Sequence, residues 1–178
     1  MTGIGGDFMY NVGDLIMYSS HGICEIDDIT EKSFSDQTKT YYVMHPLNNK
    51  QLVINIPTHS DKINLRDVVD KESAQLIIDS FKQPGVAWIE KNNHRIQIFS
   101  EAIKKGNRIE IAKIVNTLML KQHDDVLVGK KLGAQDSKLL TTIQNLLFTE
   151  LALSLKTTSE DIYNRVVSCL QEQNYKVV

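Results

Sequence analysis

The spacing of apolar and polar positions changes character about a third of the way along the chain. Up to residue 65, short runs rich in β-branched and aromatic residues are broken by turn residues at fairly regular intervals. Val12-Gly13-Asp14 predicts a turn, residues 15–18 a strand, and residues 19–22 a break. Residues 23–29 predict a second strand and the polar segment 33–39 a hairpin tip. Residues 41–44 resume as a strand, Asn48-Asn49-Lys50 turns, and residues 52–56 run to Pro57. Short strands punctuated in this way describe a small antiparallel β-barrel.

Beyond Pro57 the period becomes that of a helix. Leu76, Ile77 and Phe81 share one face of a helix over 72–82, which Pro84-Gly85 stops. Ile96, Phe99 and Ile103 mark a second over 92–105, with Gly106 at its C′ position. Ile111, Ile114, Val115, Leu118 and Met119 mark a third over 108–122. A long apolar fourth, 135–155, carries Leu139, Leu140, Ile143, Leu147 and Leu151. Thr158-Ser159-Glu160-Asp161 has the form of a capping box and opens a last helix through Ile162, Val166 and Leu170. Apolar stripes this wide imply a compact bundle. The fold class is therefore α+β: a small N-terminal β-barrel over 1–66 followed by an all-α domain over 67–178.

Composition narrows the function classes. The chain is 42% hydrophobic and 24% charged with a formal net charge of −2, so no global field draws it to nucleic acid. The charge is unevenly spread: residues 1–66 hold five basic and eight acidic side chains, whereas residues 86–140 hold ten basic and six acidic. Such a bias marks either a solvated helix surface or a phosphate-contacting one. There is no apolar run long enough to span a membrane and no signal-peptide pattern, and the Gly-rich residues 2–6 read as a lead-in. Cys24 and Cys169 are far apart without CxxC spacing, which favours two reduced thiols in a cytoplasm over a disulfide or zinc site.

Catalytic signals are missing. The chain has no GxxxxGK[ST], GxGxxG or HExxH, and its five histidines have no ligand spacing. His21 precedes Gly22 as a turn histidine would, and Cys24 sits too close along the same strand to pair with it as a nucleophile. Asp27-Asp28 and Asp124-Asp125 are adjacent carboxylates whose side chains diverge, so neither makes a metal cage. Neither an enzyme nor a cofactor or small-molecule ligand is expected.

A family resemblance rests on the order of several weak motifs. Val12-Gly13-Asp14, Tyr18, His21-Gly22-Ile23 and Glu25-Ile26, then Tyr42 and Ile54-Asn55-Ile56-Pro57, are similar to the strands of the CarD/CdnL family. Leu65-Arg66-Asp67-Val68 resembles that family's link into the helices. Trp88, Arg95, Gly106-Asn107, Ile111-Ala112, Gly129-Lys130-Lys131-Leu132 and Glu150-Leu151-Ala152 resemble its helical half. The resemblance covers most of the chain. The chain departs from it in having Asn55 where many members carry Arg, and Ile89-Glu90-Lys91 where many have a basic cluster.

The resemblance implies a Tudor-like domain docked on the RNA polymerase β subunit and a helical domain touching promoter DNA at the upstream edge of the −10 element. That contact would be largely independent of sequence and would stabilise the open complex. Lys32 and Asn55 are then the candidate polymerase contacts. Lys91, Arg95, Lys104, Lys105, Lys130, Lys131 and Lys138 are the candidate phosphate contacts, although Lys104 and Lys105 also suit a helix C-terminus by the dipole. Trp88, the only tryptophan, either fills the core or, as the resemblance implies, wedges against an unstacked base step. Pro84-Gly85 before it and Asn92-Asn93 after it predict an exposed junction, so that removing the ring leaves stability nearly unchanged. The competing reading is a two-part protein-binding adaptor that touches no DNA.

Overall fold

The computed structural model describes residues 9–18, 21–34, 37–59 and 65–175; the lead-in read at residues 2–6 lies outside them. The chain divides into two compact units, Met1–Val68 and Val69–Val178.

The first unit is an antiparallel sheet of β1 (Leu15–Tyr18), β2 (Gly22–Phe34), β3 (Gln37–Pro46), β4 (Ile54–Pro57) and β5 (Leu65–Asp67). Its neighbours run β4-β3-β2-β1-β5, so four strands meander and the fifth returns beside the first, the order of an SH3-like or Tudor-like barrel. The turn at Val12-Gly13-Asp14 forms as its residues predict. Gly13 takes φ +89°, where a Cβ would be strained, and its N–H donates to Ile26 O at 2.7 Å. Alternate residues Ile16, Cys24, Ile26, Tyr42, Met44 and Ile56 fill the interior, and the Tyr10 N–H donates to the Tyr42 hydroxyl at 3.2 Å.

Two departures from the expected strands have local causes. The register of β2 against β3 shifts between Ile26 and Asp28, and this bulge lets two consecutive carboxylates, Asp27 and Asp28, both face solvent. The hairpin is also longer than the polar run at 33–39 predicts. Ser33 pairs with Thr38 across the strands, and their hydroxyls lie 2.8 Å apart. A ribbon that leaves the core has no buried face, so its strands carry no apolar alternation to betray them. Likewise β5, read as a link, pairs Leu65, Arg66 and Asp67 with Tyr18, Met17 and Ile16; three residues are too few to show a period.

The second unit is α1 (Lys71–Ser80), α2 (Asn92–Lys105), α3 (Arg108–Leu127), α4 (Ala134–Leu155) and α5 (Ser159–Tyr175). Local chemistry starts and stops them. The Asp70 carboxylate accepts from Ser73 N at 2.7 Å, and the Asn107 side chain accepts from Ile109 N and Glu110 N. Gly106 ends α2 in the left-handed region, φ 70°. Of the capping box, Thr158 Oγ1 accepts from Asp161 N at 3.1 Å, but the Asp161 carboxylate accepts from Thr157 Oγ1 and pairs with Arg165 instead of closing the reciprocal bond. The core runs through Ile77, Phe81, Val115, Leu118, Ile143, Leu151, Ile162 and Val166. α3 continues beyond its apolar stripe and leaves Val126, Leu127 and Val128 exposed. Among the described residues no helix is long and apolar enough to cross a membrane.

Candidate functional site

Between α1 and α2 the chain runs as a strap without regular structure, and it delivers Trp88. Polar side chains of α3 tie it down. The buried Asn116 Nδ2 donates to Phe81 O and Gln83 O at 3.3 and 3.0 Å, and Thr117 Oγ1 donates to Val86 O at 2.8 Å. Backbone carbonyls removed from water are thus satisfied, which an irregular segment must arrange case by case. Gly85 permits the close approach: a Cβ there would overlap Thr117 Oγ1 and come within 2.7 Å of Lys113 O.

Trp88 is half-buried, packed against the helical core, with the Arg95 guanidinium carbon 3.9 Å from its ring centroid and Lys121 Nζ at 5.6 Å. Both are within cation–π range. A hydrogen bond to Asp125 raises the pKa of the Lys121 ammonium above its ordinary value. A groove of about 520 Å³ opens beside the ring, bordered by Gly85, Thr117, Leu120, Lys121 and Asp124. Trp88 is therefore part of the packing and not the freely exposed ring that its neighbours in sequence predict.

Arg95 is the candidate that moves furthest from expectation. It is 4% exposed, and its Nε and Nη2 grip both oxygens of the equally buried Asp136 at 2.9 and 2.6 Å. Nη1 donates to Ile89 O and Glu90 O, and Nη2 also donates to Asn92 Oδ1. With its donors spent inside the unit, Arg95 has none to offer a phosphate, and it leaves the set of surface cations. A second ion pair, the half-buried Arg108 with the buried Glu150 at 2.9 Å, lies elsewhere in the bundle, where Glu150 also accepts from Val69 N at 3.2 Å.

The remaining candidates fall in three places. Lys91 occupies the N-cap position of α2 without capping it; Lys130 and Lys131 lie in the loop before α4; all three are exposed. The starts of α2 and α4 are joined by the Arg95–Asp136 pair and by Asn92 Nδ2 donating to Gln135 Oε1 at 2.7 Å. Trp88, Lys91, Lys130 and Lys131 thus gather at one end of the unit. Lys at one N-cap and Gly133 at the other can offer no side-chain acceptor, so backbone N–H groups of both first turns stay available there. Lys104 and Lys105 occupy the last turn of α2, about 20 Å away at 1.5 Å per residue. Lys138 is exposed on α4, on the face turned away from Asp136. The loop itself has a backbone rationale. Lys130 N donates to Asp125 O and Gly129 N to Val126 O, with Gly129 at φ 70°, a Schellman closure of α3. That closure explains the glycine but makes no demand for two adjacent cations.

On the sheet, Lys32 Nζ donates to Asn55 Oδ1 at 2.7 Å, so the two candidates from β2 and β4 form one polar contact beside an edge strand. Asp27 accepts from or pairs with His45 Nδ1 at 2.9 Å. Among the described residues no group of three or more His, Cys, Asp or Glu could hold a metal ion. Both cysteines are free and buried, and burial pushes the Cys24 thiol up to about 11, far from a reactive thiolate.

Comparison with known proteins agrees with this division. Residues 10–69 match the family model of the CarD-like/TRCF RID domain, an RNA polymerase-interacting domain, and residues 76–167 match that of the CarD C-terminal domain. Among curated proteins, the one named "Putative transcription factor YdeB" from Bacillus subtilis strain 168 is 29% identical over 157 residues, covering 86% of this chain and 97% of that protein.

Proposed function

Because the chain belongs to the CarD family of non-enzymatic transcription regulators, with its RNA polymerase-interacting domain in the first unit, we propose that it stabilises open promoter complexes through direct DNA contact. In this reading the sheet docks on the polymerase β subunit by the β4 edge, with Lys32 and Asn55 at the contact. The tether raises the local concentration of the helical unit, so that weak phosphate contacts become useful. Lys91, Lys130 and Lys131 meet phosphates at the upstream edge of the −10 element, and Trp88 wedges against an unstacked step. Lys104, Lys105 and Lys138 extend the contact along the duplex. The protein works in the cytoplasm, where the polymerase is.

The gathering of Trp88 with three exposed lysines and two helix starts that lack side-chain caps is the observation that carries this reading. Positive partial charge at both helix ends adds to the ammonium groups. Salt dependence tests it. Phosphate contacts release counterions, so affinity for polymerase–promoter complexes should fall with salt, and replacing Lys130 and Lys131 with Ala should flatten the log–log slope by roughly one unit per lost contact. A slope near zero in the unaltered protein would favour the adaptor reading instead. The docking half is tested by a pull-down of the β subunit with the fragment 1–68, which keeps β5 whole.

A further inference from the structure

Trp88 stands between two tied points of an irregular strap. On one side Thr117 holds Val86 O; on the other Arg95 holds Ile89 O and Glu90 O while its guanidinium lies against the indole itself. The same guanidinium is gripped by both oxygens of Asp136 at the start of α4 and by Asn92 at the start of α2. One planar group therefore touches the ring, the backbone that follows it and the first turns of two helices.

We propose that Arg95, oriented by Asp136, is the positioning residue for Trp88: it sets the plane and tilt in which the indole is presented. This rests on the reading of Trp88 as the DNA-contacting ring. A bidentate carboxylate fixes the guanidinium plane, and a fixed plane fixes the ring that stacks on it. Lysine supplies a point charge without a fork and could not transmit that orientation. Stability alone is a weak account of the pair, because buried ion pairs often contribute no more than apolar residues of the same volume. Orientation is what the arrangement adds. A ring already held in its working pose loses little freedom when it contacts an unstacked step.

Because Trp88 is the only tryptophan, intrinsic fluorescence of the full chain reports on this residue alone. Arg95→Lys keeps a cation opposite Asp136 but loses the fork. With far-UV circular dichroism unchanged, its acrylamide quenching constant should rise about twofold and open-complex lifetime fall roughly three- to tenfold, while β-subunit binding is untouched. A purely structural role would lower the melting temperature without altering quenching of the folded protein. If Arg95→Lys is folded and its emission and quenching match the unaltered protein, the positioning role is overturned. Should Arg95→Lys lose helix, the same readings on Asp136→Glu, which keeps the charge but displaces it by one methylene, decide the matter in the same way. The two ideas separate cleanly. An unchanged lifetime in Trp88→Ala sinks the wedge, whereas altered quenching in Arg95→Lys upholds the positioning role regardless.

Discussion

Replacing Trp88 with Ala removes a ring that is more buried than exposed, and the structure lets the two consequences be sized separately. A fully buried Phe or Trp truncated to Ala costs about 3–5 kcal/mol, so burial of most of the ring brings this to roughly 2–4 kcal/mol. Losing the ring face beneath Arg95 adds up to about 1 kcal/mol. The expected destabilisation is therefore about 2–5 kcal/mol, and not the near-zero cost that an exposed junction would give. Against a typical total of about 5–15 kcal/mol, the variant stays predominantly folded at 25 °C.

Function should suffer more than folding. If the ring offsets about 1.5–3 kcal/mol of unstacking, its loss shortens open-complex lifetime by roughly ten- to a hundredfold. Urea unfolding followed by far-UV circular dichroism gives the first number, since the fluorescent probe is gone. Challenge of preformed open complexes with a competitor gives the second. Trp88→Phe, retaining a smaller flat ring, should fall between the two on both scales. A folded Trp88→Ala with unaltered lifetime would refute the wedge. A loss above about 5 kcal/mol would show instead that the ring is an ordinary core residue.

Four further outcomes follow from local geometry. Lys156 closes α4 at φ 54°, a left-handed position, and Thr157 N donates to Ala152 O around it; Lys156→Gly should stabilise the protein by about 1 kcal/mol and raise its melting temperature by a few degrees. Gly85→Ala forces a Cβ against Thr117 and Lys113 O, so it should cost roughly 2 kcal/mol in urea unfolding and shift the Trp88 emission as the strap lifts. The Cys24 thiol, raised to about 11 by burial from an ordinary value of 9.0, should resist labelling by thiol reagents near neutral pH until the sheet unfolds. In the same way the folded state holds its Cys24 proton when the unfolded chain has lost it. Stability from this group is intact below about pH 9 and declines as the pH rises toward about 11, which alkaline urea titrations would detect.

Much of the architecture is legible in the chain because each element carries its own period and punctuation. The limits of α2 follow from Ile96, Phe99 and Ile103 with Gly106 just beyond, and the structure begins and ends that helix at residues 92 and 105. Elements without a buried stripe are the ones that escape. The outer β2–β3 ribbon is largely polar, β5 has three residues, and the end of α3, His123-Asp124-Asp125-Val126-Leu127, is mostly polar with its two apolar residues exposed. In each case the element is defined by its hydrogen bonds, for β5 to a strand distant in sequence, and hydrogen bonds leave no pattern in the hydrophobic positions.

The site shows the same limit more sharply, because the meaning of a charge depends on what faces it. Lys130 and Arg95 look alike as basic residues of a basic stretch, yet one is exposed and the other is locked to a carboxylate 41 residues away. A signal was nevertheless present. Arg95 stands four residues before Phe99 and so falls on the buried stripe of α2, and Asp136 stands four and seven before Leu140 and Ile143 on that of α4. Glu150 repeats the pattern between Leu147 and Leu151. A charge in register with an apolar stripe cannot stay unpaired, since burial alone would cost several kcal/mol. Two such charges of opposite sign on different helices therefore predict each other. By that rule Arg95 belongs inside and Lys91, Lys130 and Lys131 outside, and the ring between them draws its orientation from the buried cation and its electrostatic setting from the exposed ones.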